Sequence, residues 1–255
     1  MKILIVGKGF AGKLHEEAWR RLGYERIYYY DVSFGTTFKD VLQSINPDIV
    51  DFCDTPKSRI NYLVEHQHDL GDKIIFVEKP PCRPIDYDVY IYLCKYLDII
   101  PIHNYIHLVN EKPKEIVILR NGPHKGWYID HNLSGGGILL DHGYHWLYVA
   151  DHYGINLKKL IGWVDGFPDR ECVVIGENFK FYATWKSPIR LTVLNGKITE
   201  FRTNEKLVNS FTEIFKLVEI EDKSKKRELR VQSFRVMEFI RRVYENVKFC
   251  VRFEA

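Results

Sequence analysis

KILIVGKGFAG, residues 2–12, joins a short continuous apolar run to a glycine-spaced turn. Four apolar residues in a row at 3–6 fit a strand buried on both faces. Gly7-x-Gly9-x-x-Gly12 follows at once, and Phe10, Leu14, Ala18 and Leu22 then recur at fourfold spacing, the mark of a helix. In a strand–turn–helix of this kind Gly7 allows the tight turn. Gly9 lets backbone amides approach a pyrophosphate, and Gly12 lets the helix lie close to the sheet. The helix N-terminus then faces the anion. The candidate cofactor contacts here are Gly7, Gly9, Phe10, Ala11 and Gly12. Asp31 ends a second strand over 26–31, 19 residues after Gly12. A carboxylate there bonds ribose hydroxyls and repels a 2′-phosphate, so NAD is favoured over NADP.

Outward from this unit the pattern repeats. Strands are predicted at 48–54, 73–78 and 99–103, with helices at about 38–45, 58–68 and 86–97 between them. Alternation of this kind predicts a doubly wound parallel sheet, the Rossmann class of α/β fold. After Pro113 the pattern changes. A strand at 115–120 and a helix at 138–153 precede apolar strands at 160–166, 171–176, 180–185, 190–196 and 198–203 with no helices between them. Asn195-Gly196 is a hairpin turn. The second half therefore predicts an α+β domain on a mainly antiparallel open sheet. A last helix over about 228–247 is free to pack back on the first half. The boundary falls near 110, giving a dinucleotide-binding domain at 1–110 and a substrate-binding and association domain at 111–255.

The 255 residues carry a net charge of +3, with 45% hydrophobic and 28% charged residues. That balance argues for a globular protein and against a nucleic-acid partner, which selects a basic face. The one basic cluster, residues 223–227, is expected to be a solvated loop before the last helix. No apolar run approaches membrane length, so no membrane partner is expected. The five cysteines are scattered, with Cys53, Cys172 and Cys250 in strand-like runs, and suggest reduced thiols in a cytoplasmic protein.

Two further stretches carry chemistry. In SGGGILLDHGYH, residues 134–145, Asp141 and His145 stand four apart and share one helix face. A carboxylate and an imidazole so placed can work as an acid–base pair. His142 points about 100° away from Asp141; with no convergent third ligand even with His152 considered, no metal site is expected. Glu78-Lys79-Pro80 ends the fourth strand, at the sheet edge where ligands bind, and Lys79 there can donate to a substrate oxygen.

Taken together these features resemble the glucose–fructose oxidoreductase / inositol dehydrogenase / MocA family. The resemblance runs through the glycine loop with His15, Thr55-Pro56, Glu78-Lys79-Pro80, Asn104, GGGILLDHGYH, Trp185 and Asn195-Gly196. It implies hydride transfer between nicotinamide and a carbinol carbon of a sugar, cyclitol or sugar derivative. Lys79, Asp141 and His145 are then the catalytic groups. Thr55, Pro56, Glu78 and Lys79 join the cofactor contacts, and Asn104, Trp127 and Tyr128 face the substrate. His145 is the base, Lys79 stabilises the developing oxyanion, and Asp141 orients His145 or binds a neighbouring hydroxyl. The resemblance also implies a cis Lys79-Pro80 bond and a homodimer or homotetramer formed through the C-terminal sheet. The chain is short for the family, and it carries Lys57, Ser58 and Arg59 where relatives often have Asn-x-x-His. Two alternatives stay open. One is a reductase of a non-sugar substrate, resembling biliverdin reductase or an amino-acid dehydrogenase. The other is a catalytically silent dinucleotide-binding sensor or scaffold.

Overall fold

The computed structural model describes residues 1–109, 112–121, 130–165, 171–184, 191–199, 203–218 and 223–251. Its first half runs β1 (Ile3–Val6), α1 (Phe10–Arg21), β2 (Ile27–Tyr30), α2 (Phe38–Ile45), β3 (Ile49–Phe52), α3 (Pro56–Glu65), β4 (Ile74–Val77), α4 (Tyr87–Tyr96) and β5 (Asp98–Pro101). The second half runs β6 (Ile116–Asn121), α5 (His131–Ser134), a π-turn Leu139–Gly143, α6 (Tyr144–His152), β7 (Ile161–Val164), β8 (Glu171–Gly176), β9 (Phe179–Thr184), β10 (Leu191–Leu194), β11 (Lys197–Ile198), α7 (Asn204–Phe215) and α8 (Lys223–Val251).

The first five strands form one parallel sheet in the order β2-β1-β3-β4-β5. Both faces are covered, which explains its unbroken apolar strands. Leu4 and Val6 of β1 join one core layer with Val50, Phe52 and Phe38. Ile3 and Ile5 join the other, with Trp19, Phe211 and Phe215. The remaining strands form a second sheet, β11-β10-β6-β9-β8-β7. Its pairs are antiparallel except β6 with β9, which run parallel. The Asn195-Gly196 turn has both residues at positive φ, 52° and 76°, as a hairpin of this type requires.

Four expectations need correction. Of the strand expected over 198–203, Ile198 closes the two-residue β11, residues 200–202 lie outside the described residues, and the unforeseen helix α7 begins at Asn204. Thr203 caps α7 by accepting from the Lys206 amide, and Leu207, Val208, Phe211, Ile214 and Phe215 bury one face over α1. Residues 223–227 are not a loop but the first turns of α8, with Lys226 paired to Asp98 at 2.9 Å. Cys250 lies in α8 rather than in a strand. The helix expected over 138–153 opens with a π-turn. Trp127, Tyr128 and Trp185 lie outside the described residues. The long α8 lies against the parallel sheet's edge, where Arg230 donates to the Cys94 carbonyl and the Tyr87 hydroxyl to the Phe234 carbonyl. No helix among the described residues is long and apolar enough to cross a membrane.

Candidate active site

The glycine turn is tightly determined. Gly7 sits at φ +99°, and a Cβ there would come within 3.0 Å of the Asp54 nitrogen. A Cβ on Gly12 would stand 2.2 Å from the Gly7 carbonyl oxygen. At Gly9, the residue that caps α1, a Cβ would meet nothing within 4 Å. Two glycines are thus needed for packing, while the third leaves open space before a helix N-terminus, where an anion is favoured. Asp31 stands beside the turn. Its Oδ2 accepts the Lys8 amide at 3.0 Å, and its Oδ1 accepts the Ser33 amide and hydroxyl at 3.0 and 2.7 Å. The Lys8 amide first, then Ser33, hold its carboxyl below the usual range, so it is ionised at neutral pH.

A cleft of about 430 Å³ opens at the carboxyl ends of β1, β3 and β4. Gly9, Phe10 and Ala11 form one wall, and Glu78, Lys79 and Asn104 another. Asp141 and His145 line it as well. Lys79 Nζ reaches Asp141 Oδ1 at 2.8 Å and the Asp141 carbonyl at 3.3 Å. The His145 ring stacks on Tyr105 with centroids 3.7 Å apart and planes within 13°. His142 stays close to its neighbour, its Nε2 3.6 Å from Asp141 Oδ2, and it also lines the cleft. The π-turn carries Asp141 and His142 just ahead of α6, a distortion that recurs at functional sites. The three glycines before it serve the protein itself. A Cβ on Gly135 would stand 2.2 Å from the Arg83 Cβ, and the Gly137 amide donates to the Tyr244 hydroxyl.

Lys79-Pro80 is cis. Thr55 and Pro56 lie outside the cleft lining. Thr55 accepts the Ser58 amide as cap of α3, and Pro56 takes the first helical position. Cys53 and Asp54, which the sequence reading did not name, line the cleft instead. Asn204, Leu207 and Phe211 of α7 also line the cleft and were not foreseen. The signal for α7 was present: a threonine cap followed by apolar residues at helical spacing.

Beneath the glycine turn lies a buried polar network. His15 Nδ1 is 3.0 Å from Asp51 Oδ2 and 3.0 Å from Cys53 Sγ, and its Nε2 is 3.5 Å from Glu78 Oε1. The Trp19 indole donates to Asp51 at 2.8 Å. Burial alone would lower the His15 pKa. The neighbouring Asp51 and Cys53 outweigh it and hold the imidazole well above its ordinary value. A histidine raised in this way contributes stability that is whole below its unfolded value of about 6.5 and is lost as pH rises through the folded value. The melting-temperature gap between wild type and His15→Asn is therefore expected to be widest in mild acid and to close as pH rises. A gap that opens with pH would contradict the assignment.

No family model and no curated protein matches the sequence. Solved structures do match, along nearly the whole chain. The WlbA (WbpB) dehydrogenase from Thermus thermophilus, solved with NAD and UDP-GlcNAcA, superposes with a TM-score of 0.68 at 12% identity, covering 94% of this chain and 95% of that one. The two chains share a fold. GenD2 from gentamicin A biosynthesis, solved with NAD, gives 0.67 at 14% identity, covering 95% of this chain and 93% of that one. Levoglucosan dehydrogenase, solved with NADH and L-sorbose, gives 0.67 at 11% identity, covering 96% of each chain. At such identities the likeness establishes the two-sheet architecture, a parallel Rossmann-type sheet beside a mixed, mostly antiparallel one.

Proposed function

We propose that the chain is an NAD-dependent oxidoreductase that moves a hydride between nicotinamide and a carbinol carbon of a sugar, cyclitol or sugar derivative. The observation that carries this is one cleft holding the open Gly9 turn together with Lys79, Asp141 and His145. The fold shared with two dehydrogenases, one solved with NAD and UDP-GlcNAcA and one with NADH and L-sorbose, supports it.

The residues present fit the dinucleotide. Gly9 leaves space at a helix N-terminus for the pyrophosphate, and Asp31 offers an ionised carboxylate for the adenosine ribose. Phe10 and Ala11 line the same wall. NAD, when bound, supplies the hydride acceptor or donor. The chain's own groups move the proton and steady the charge. His145 takes the hydroxyl proton during oxidation and returns it in reduction. Lys79 donates to the same oxygen as negative charge builds on it. Asp141 holds Lys79 in place through the 2.8 Å contact, and Asn104 and Tyr105 shape the substrate side.

Residues 1–110 form the dinucleotide-binding domain in this reading, and residues 111–255 complete the substrate side. The outer face of the second sheet exposes Ile161 and Trp163 on β7 and Ile175 on β8, with Ile161 and Ile175 directly paired. This apolar face supports a homodimer or homotetramer, and a monomeric sedimentation coefficient would end that reading. The cysteine pattern of the sequence supports a cytoplasmic location.

A screen of polyols, sugars, sugar acids and nucleotide sugars, with NAD and NADP in parallel, tests the activity by nicotinamide absorbance. Turnover with NAD on at least one such compound is expected, and His145→Ala is expected to slow it by about 10²–10⁴-fold. Tight NAD binding with no turnover across the whole set would leave a silent dinucleotide-binding protein instead.

A further inference from the structure

Lys79 is followed by two prolines, so the turn 78–81 lacks the amide donors that ordinarily close a turn. The Glu78 and Pro80 carbonyls must find a donor elsewhere, because buried carbonyls are costly when unpaired. Arg59 supplies it from α3. One guanidinium nitrogen, Nη1, donates to both the Glu78 carbonyl and the Pro80 carbonyl, the latter at 2.7 Å. Nη2 donates to the Asp54 carbonyl at 2.6 Å, and Nε lies 3.4 Å from Asp54 Oδ1. The side chain is 1% exposed. A buried cation with this many acceptors is fixed in position, and only a planar guanidinium fork can serve them together.

We propose that Arg59 is a positioning residue for the reaction: by binding the carbonyls on either side of Lys79 it holds the lysine ammonium within reach of Asp141 and of the substrate oxygen. It touches neither substrate nor cofactor. The inference rests on the reading of Lys79 as the oxyanion-stabilising group. It gives Arg59 a role distinct from substrate contact. It also ties the end of β3, through Asp54, to the turn after β4.

Two sets of measurements test it in the full-length protein. In the first, surface and active-site lysines are reductively methylated with ¹³C-formaldehyde, and the Lys79 resonance is identified by its loss in Lys79→Arg. A Lys79 resonance displaced from the bulk lysines is expected in wild type. In Arg59→Lys and Arg59→Gln it is expected to move to the bulk position. A bulk-like resonance in wild type, or a displaced one unmoved in a folded Arg59 variant, overturns the proposal. This readout needs no turnover, so it separates a failure of the positioning role from a failure of the proposed activity.

The second set is kinetic. Arg59→Lys is expected to lower kcat by about 10- to 100-fold, the scale of a small misplacement of a reacting group, with NAD affinity held within about twofold. In a Lys79→Ala background the same change is expected to cost less than about twofold, because the lysine it positions is gone. Losses that simply multiply in the double variant would show Arg59 acting independently of Lys79 and would overturn the proposal.

Discussion

If the proposed hydride transfer is right, Lys79→Ala is expected to lower kcat by about 10²–10³-fold on the substrate the screen finds, the cost of removing one donor from a developing oxyanion. The lysine lies just past the carboxyl end of β4, and its ammonium is 2.8 Å from the Asp141 carboxylate. Its loss has a second consequence. Asp141 is only 8% exposed, and Lys79 is the cation bound to its carboxylate at 2.8 Å. A buried carboxylate stripped of its cation destabilises the fold. Thermal melting of Lys79→Ala should therefore accompany the kinetics, and Asp141→Asn beside Lys79→Ala separates the two effects. The double variant is expected to recover stability but not rate. Because Lys79 also borders the cofactor wall, NAD affinity is expected to fall, though by far less than kcat. Equal falls in kcat and NAD affinity would place Lys79 with the cofactor and remove it from the chemistry.

Gly12→Ala and Gly9→Ala are expected to fail in opposite ways. The methyl of Gly12→Ala would stand 2.2 Å from the Gly7 carbonyl oxygen, a backbone atom that cannot swing aside. Relief requires α1 to lift from the sheet, and α1 carries His15, Ala18 and Trp19 into the core. Overpacking of this kind costs about 1–3 kcal/mol or more, and Gly12→Ala is expected to melt several degrees lower and to lose NAD. Gly9→Ala meets no atom within 4 Å, so its melting temperature is expected to stay at the wild-type value. Its methyl occupies the space assigned to the pyrophosphate, and NAD affinity is expected to fall by about tenfold or more, about 1.4 kcal/mol. Melting curves and calorimetric titration of both variants check the pair. A Gly9→Ala protein that binds NAD as wild type does would move the phosphates away from this turn.

Much of the fold was legible because its signals are local. The apolar run at 3–6, the spacing of Gly7, Gly9 and Gly12, and the Asn195-Gly196 turn each state a backbone requirement within a few residues. Asp31 was legible for the same reason: the strand it ends places it at the edge of the turn. What escaped the sequence depends on distant partners. α7 has its threonine cap and its apolar face, but that face is completed by distant residues, such as Trp19 of α1, nearly 200 residues earlier, on which Phe215 stacks at 3.9 Å, and Phe76 of β4. The residues before α7, 198–203, alternate well enough to suggest a strand and mask its start. Residues 223–227 suggested a solvated loop because nothing nearby in sequence shows that Asp98 waits for Lys226.

The candidate site divides along the same line. Asp141 and His145 could be named from their spacing in the chain, Lys79 only with the family resemblance, and the cleft brings all three together. The Lys79–Asp141 ion pair spans 62 residues, and no spacing rule reveals it. From sequence, Asp141 was expected to orient His145 or hold a hydroxyl; the structure gives it Lys79 as a partner. Arg59 is the sharper case. In the sequence it stood out only as a departure from a familiar pattern, whereas its contacts are with backbone carbonyls that two prolines leave without turn donors.

Calorimetric titration of the wild-type protein with NAD and, separately, NADP addresses the cleft itself, with no substrate needed. One NAD per chain is expected, bound more tightly than NADP because the ionised Asp31 carboxylate accepts ribose hydroxyls and repels a 2′-phosphate. Binding of neither dinucleotide would contradict the assignment of this cleft, and with it the proposed hydride transfer.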